Sequence, residues 1–314
     1  MRITLRCLAV TAMALVVLFM VATGVANAQP PKCDTQIIAC GCTIGAPGSY
    51  TVENTLYASQ GLTLKNSCID IEGEDINLYV LNYDIIGPGS DSTCESGTPH
   101  KNFGVGIHVL PSASHVAIYN SGDGYVCGWS YGVESEGNNV NLYEVFTAYD
   151  NVGLLLNNAT SNDVLYGYAQ YDVVGFQITG GSGNSINGGG AVYNSRYGYW
   201  VDGSSGNTLS SNYVYDTTEK AGIYLGCNST GQVKPQILCP KNTPTTGNSI
   251  VAHYFYEDSG YGIATERGAI DNNYNGNYFY SPTTGTDIID GNGNCVYNQY
   301  VGDTFATASP SCIQ

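Results

Sequence analysis

A glycine flanked by an apolar or aromatic residue and a short apolar run returns along this chain about every 22 residues. The instances are Gly106, Gly132, Gly153, Gly175, Gly198, Gly222 and Gly262, in steps of 26, 21, 22, 23, 24 and 40 residues. An asparagine series (Asn139, Asn162, Asn184, Asn207, Asn248, Asn273) and a tyrosine series (Tyr149, Tyr171, Tyr193, Tyr215, Tyr256, Tyr280) keep the same beat. Each series shows one long step in the same place. A single insertion of about 17 to 19 residues therefore falls between Leu225 and Gly247, over residues 227–244.

A repeat this short cannot bury its own hydrophobic face, so it must stack on its neighbours. Two or three strands of 3–5 residues with no helix between them fit one coil of a parallel β-helix. The 40 glycines and 26 tyrosines, with few strong helix formers, agree with an all-β chain. The expectation is one solenoid of about ten coils in which like residues stack in columns. Val133, Leu154, Phe176, Tyr199, Ile223 and Ile263 would form one interior column; Val140, Val164, Ile186, Leu209 and Ile250 would form another. The asparagines suit a turn, where the side chain satisfies backbone groups of the next coil. The tyrosines would point outward and stack from coil to coil.

Arg2 and Arg6 precede an apolar run from Leu8 to Val21, and Ala26-Asn27-Ala28 completes the pattern of a signal peptide over residues 1–28. An exported protein, secreted or periplasmic and with no membrane span after cleavage, is expected. Ten cysteines remain once Cys7 is removed, an even number that reads as five disulfides. The repeat frame favours Cys227–Cys239, Cys295–Cys312 and Cys94–Cys127. Residues 29–60 read as a disulfide-rich cap, 61–300 as the solenoid and 301–314 as a C-terminal tail. Cys40-Gly41-Cys42 has no second close pair or histidine cluster that would make a zinc site. No cofactor is implied, and nothing in the sequence supports calcium. The net charge of −16 and the absence of a basic patch exclude nucleic-acid binding. A monomer is expected.

The repeating Tyr-Gly-Ile pattern, together with Asn66–Gly89 (NSCIDIEGEDINLYVLNYDIIGPG), resembles the right-handed parallel β-helix repeat proteins. That superfamily includes pectate lyases, polygalacturonases and NosD-like periplasmic proteins. The resemblance covers roughly residues 60–300 and implies the fold. It does not fix an activity, because the superfamily spans several chemistries. The Asn-Thr-Asp, Asp-Asp, Gly-His-Gly and Arg-x-Lys motifs of polygalacturonases are missing, as is the Asp-Pro-His-Glu of alginate epimerases. Trp200-Val201-Asp202-Gly203 resembles the Trp-Ile-Asp-His of pectate lyases, with glycine in place of the histidine.

Alternation in the strand after each repeat glycine points to a candidate site. Outward positions are His108, Glu134, Leu155, Gln177, Trp200, Tyr224 and Ala264 in one column. Leu110, Glu136, Asn157, Thr179, Asp202, Gly226 and Glu266 form the next. Trp200 and Tyr224 would stack sugar rings, and Asp202 and Glu266, two coils apart, would be the acid–base pair. Lys234 on the insertion and Arg267, with Lys220 and Lys241 nearby, would hold a uronate carboxylate. His108 with Glu134 and Glu136 forms a rival site; His100 and His115 are not spaced to complete a metal centre with it. Two functions follow: an enzyme with lyase or glycoside hydrolase chemistry on an acidic polysaccharide, or a non-catalytic extracellular protein that binds glycans or serves as a structural spacer.

Overall fold

A computed structural model describes residues 31–58, 66–99, 101–226, 244–257, 260–280, 286–293, 297–311 and 313. The signal segment, Cys227, Cys239, Lys234, Lys241, Cys295, Cys312 and His100 lie outside those residues. Among the described residues there is no helix, and every strand of the solenoid pairs in parallel with the next coil.

One coil shows the plan. Tyr131–Ser135 belongs to sheet I, Asn138–Tyr143 to sheet II and Phe146–Ala148 to sheet III. Among the described residues, sheets I and II have eleven strands each and sheet III has nine. Strands run from Gln36 to Ser309, so the sheets take in segments read above as cap and tail.

The core is a bundle of stacked columns, because each inward residue meets its equivalent one strand spacing (~4.8 Å) away. Val133, Leu154, Phe176, Tyr199, Ile223 and Ile263 pair successively in sheet I, and all are buried. In sheet II the column runs Val164, Ile186, Leu209, Ile250 as expected, but its neighbour in the preceding coil is Leu142. Val140 sits opposite Asn162 instead, because that strand is longer and enters the sheet earlier. Burying each such aliphatic side chain contributes roughly 1.5–3 kcal/mol.

The asparagines close the corner between sheets I and II. The backbone N–H of Asn162 donates to Asn184 Oδ1 at 3.0 Å, that of Asn184 to Asn207 at 2.9 Å, and that of Asn207 to Asn248 at 3.0 Å. Asn272 and Asn298 continue the ladder. Asn139 and Asn273 fall one residue off it; Asn273 is the first residue of the adjoining strand. Each amide thus satisfies a buried donor that the turn would otherwise leave unpaired. A second ladder of Asp150, Asp172 and Asn194 follows sheet III. A third, between sheets II and III, runs Asn212, His253, Asn277 and Asp303.

The tyrosine series is likewise split by register. Tyr149, Tyr171 and Tyr193 stack with ring centroids 5.1 Å apart. Tyr215 then pairs with Val192 rather than following Tyr193, so Tyr215 and Tyr256 stand one column over, in sheet III. Among the described residues three disulfides are present: Cys33–Cys42, Cys40–Cys68 and the expected Cys94–Cys127. Cys40 and Cys42 are therefore spent on separate cross-links within the first coils.

Candidate functional site

The outward columns of sheet I follow the expected order. Asp70, His108, Glu134, Leu155, Gln177, Trp200, Tyr224 and Ala264 occupy equivalent positions in successive coils. The face divides into an open end and a closed end.

At the open end the residues converge on His108. Its Nε2 lies 3.2 Å from Glu136 Oε2, and its Nδ1 lies 3.5 Å from Asp70 Oδ1. Burial acts to lower the His108 pKa. Hydrogen bonding to Asp70, the Glu134 charge and the Glu136 contact outweigh it, and the pKa is raised. Asn157 Nδ2 donates to Oε1 of both Glu134 and Glu136, at 3.1 Å each. Those two oxygens therefore stand within about 6 Å of each other. Asn158 donates to Asn157 Oδ1 at 3.0 Å and fixes the orientation of that amide. Burial raises Glu134 above the usual carboxylate range, against the His108 charge and the Asn157 hydrogen bond. The cluster sets a carboxyl group whose pKa burial raises beside a second carboxylate held by an imidazole.

A groove of about 410 Å³ leads away from Glu134 along sheet I, past Tyr131, Leu155 and Gln177 to Trp200. Lys101 and Arg196 line it as well. Tyr131 and Trp200 are partly exposed, and among the described residues Trp200 Nε1 has no hydrogen-bond partner. Among the described residues no group of three or more His, Cys, Asp or Glu side chains has metal-binding geometry.

At the closed end Asp202 pairs with Gly226, and Glu266 donates its backbone N–H to Leu225, which puts the two acids two coils apart as expected. The expected exposure is not found. Asp202 and Glu266 are 5% and 2% exposed, and Tyr224 has no exposed surface. Tyr224 packs instead with Tyr197, stacked at 4.8 Å, in an apolar cluster that includes Ala221 and Ala264 on the outer side of the sheet. Alternation gave the direction of these side chains but could not show that the outer side is itself packed there. Trp200 leans on this cluster, 5.3 Å from the Tyr197 ring, and Arg267 is exposed beside it. Asp70 was missed as a partner of His108, and Asn157 as the amide that bridges Glu134 and Glu136. Asp70 lies two coils before Glu134, in a part of the chain where the repeat glycine is absent.

No known family's profile matches the sequence, and no curated protein matches it. Several solved structures do. A Dettilon tailspike protein aligns with a TM-score of 0.55 at 13% identity, over 87% of this chain and 59% of that one. Tailspike protein 2 of bacteriophage CBA120 gives 0.51 at 13%, over 86% and 42%. An alginate lyase from a Paenibacillus species gives 0.50 at 14%, over 82% and 91%. This chain thus spans about half the length of the two tailspike chains. These likenesses establish the fold: a right-handed parallel β-helix, the hand that crossovers between parallel strands adopt.

Proposed function

We propose that this protein is an exported glycan-active enzyme that cleaves an acidic polysaccharide in the sheet I groove, with Glu134 and Glu136 as its acid–base pair. The observation that carries this reading is the bridging of the two carboxylates by Asn157. It keeps their bridged oxygens within about 6 Å, a bound that admits the ~5–5.5 Å separation of retaining glycosidases. Glu134, whose pKa is raised, would donate its proton to the glycosidic oxygen as the bond breaks. Glu136, hydrogen-bonded to His108 Nε2, would attack the anomeric carbon, and water would later release the sugar with Glu134 acting as base. Asp70 would orient the imidazole through Nδ1. Tyr131 and Trp200 offer rings to sugar faces, and Lys101 and Arg196 offer charge to a uronate carboxylate. The three disulfides support an oxidising compartment, and the names of the solved neighbours support a glycan as partner. The open end is preferred to Asp202 and Glu266 because Glu134, though only 9% exposed, lines the groove, and neither of those two acids does.

The test is a screen against pectin, alginate and other uronans that follows reducing ends and unsaturated product separately. Hydrolysis gives reducing ends alone, whereas elimination gives both. Glu134→Gln is expected to lose turnover while keeping affinity. Full turnover in Glu134→Gln that disappears in the Asp202→Asn, Glu266→Gln double variant moves the chemistry to the closed end. Binding without turnover across the panel assigns the groove to recognition alone.

A further inference from the structure

We propose that the outer face of sheet III is a second glycan-binding surface, separate from the groove, that takes an uncharged polysaccharide. Tyr213, Tyr254 and Tyr278 occupy one outward column of this sheet in successive coils. Each is 37–39% exposed. The neighbouring outward column carries Tyr215 and Tyr256, and the Tyr256 ring stacks on that of Tyr280 at 4.9 Å. Along the sheet's border the stacked rings of Tyr149, Tyr171 and Tyr193 add a third row.

The core does not need these rings. The inward positions of the same strands are Val214, Phe255 and Phe279, and the solenoid closes on them. The rings are nonetheless held in place. Tyr254 stacks on Tyr278 at 5.5 Å, and Tyr213 packs over Gly190, where an added Cβ would collide with its ring. Little side-chain freedom remains to be lost on binding. What faces solvent is a row of ring edges and phenol hydroxyls repeating once per coil. A polymer with regularly spaced hydroxyls and C–H faces meets both halves of that chemistry.

Charge selects among such polymers. No lysine or arginine stands in these columns, and the turn bordering them carries Asp216 and Glu257. Among the described residues, an anionic glycan, a nucleic acid or an acidic membrane would meet no lysine or arginine in these columns, on a chain of net charge −16. A second copy of the chain would meet the same repulsion. A neutral polysaccharide meets none. The surface shares no residue with the groove, so either assignment can fail without the other.

The experiment is native affinity electrophoresis of the disulfide-bonded protein in gels containing hydroxyethylcellulose or xylan, against gels containing polygalacturonate or alginate. Retardation is expected in a neutral gel. It should weaken about tenfold in the Tyr213→Ser, Tyr254→Ser, Tyr278→Ser variant, with circular dichroism unchanged. The corresponding triple Tyr→Phe variant keeps the stacked rings and the fold, and should also bind more weakly because it lacks the hydroxyls. Migration unaffected by every neutral polymer overturns the proposal, as does retardation by the uronans alone. Equal retardation of both triple variants and the parent protein overturns it too. Concentration-dependent sedimentation that the serine variant abolishes would give the face to a second copy instead.

Discussion

The backbone N–H of Asp150 donates to Oδ1 of Asp172 at 2.7 Å, and both carboxyl groups are fully buried. Among the described residues no lysine, arginine or histidine pairs with either. In the next coil the same ladder position is filled by Asn194, which accepts the Asp172 N–H at 3.0 Å and donates to Ala169 at 3.1 Å. Burial pushes the pKa of both aspartates well up, and for Asp150 the charge of Asp172 adds to it. The unfolded chain then ionises first as pH rises. Stability is greatest below the ordinary Asp value of about 3.9 and falls as pH climbs toward the raised folded value. Asp172→Asn should keep the bond to Asp150 and gain a donor for Thr147, the residue paired with Ala169. We expect it to stabilise the protein by about 1–2 kcal/mol near pH 8 and by nothing near pH 4. Denaturant unfolding at the two pH values checks this, and a variant less stable than the parent at pH 8 would refute it.

His253 works in the opposite sense. It replaces asparagine in the third ladder, with Nε2 3.1 Å from Asn212 Nδ2 and Nδ1 3.0 Å from the Val251 carbonyl. Burial lowers its pKa to about 3. As pH falls below about 6.5 the unfolded chain takes a proton that the folded one refuses, so stability is lost toward acid until pH 3. His253→Asn should cost roughly 1–3 kcal/mol at pH 7, through the space left beside Tyr199. Its stability should then decline less than the parent's between pH 6.5 and 4. Parallel pH profiles for the two proteins would disprove the assignment.

The fold was legible because its determinants are local and periodic. Each coil repeats the same glycine, asparagine and aliphatic positions, and one coil's register dictates the next. The outward column from His108 to Ala264 followed from that register alone. Three things did not follow from it. The asparagine series drifted by one residue at Asn273 because Asn272 and Asn273 stand side by side, and at Asn139 because the ladder position in that coil is filled by Val140. The tyrosine series changed column at Tyr215 because the coil gained a residue, which spacing in a single series hides. The burial of Tyr224, Asp202 and Glu266 depends on packing outside the sheet, where periodicity is silent.

Groove chemistry should show the electrostatics around Glu134 directly. The His108 charge and the Asn157 hydrogen bond both hold the Glu134 pKa down against burial. If protonated Glu134 is the acid, kcat/KM falls as pH rises through that pKa. His108→Gln removes the positive charge, so the alkaline limb should move to higher pH even as the rate drops. Glu134→Gln should lower kcat by about 10²–10⁴ and leave no alkaline limb of this origin. An alkaline limb unmoved by His108→Gln would detach the histidine from the acid.

The repeat glycine itself has a steric cause that substitution can separate from a conformational one. A Cβ on Gly153 would stand 2.5 Å from Asp172 Oδ2 and 2.8 Å from the Gly175 carbonyl, and it would also collide with Thr147. Gly175 and Gly198 are similarly close to the backbone of the following coil. None of these three has the left-handed φ that only glycine adopts freely. Gly206 is the reverse case, with φ of +63° and open space where its side chain would go. Gly206→Asn should be tolerated with a loss under about 1 kcal/mol, because asparagine accepts that backbone. Gly206→Ala should cost roughly 1–2 kcal/mol. Gly153→Ala should cost at least as much as overpacking a core, about 1–3 kcal/mol, and Gly153→Asn should be worse rather than better. Thermal unfolding of the four variants tests this. Rescue of Gly153 by asparagine would mean that the marker reports backbone freedom, and that the coils are not packed against each other at the glycine as described.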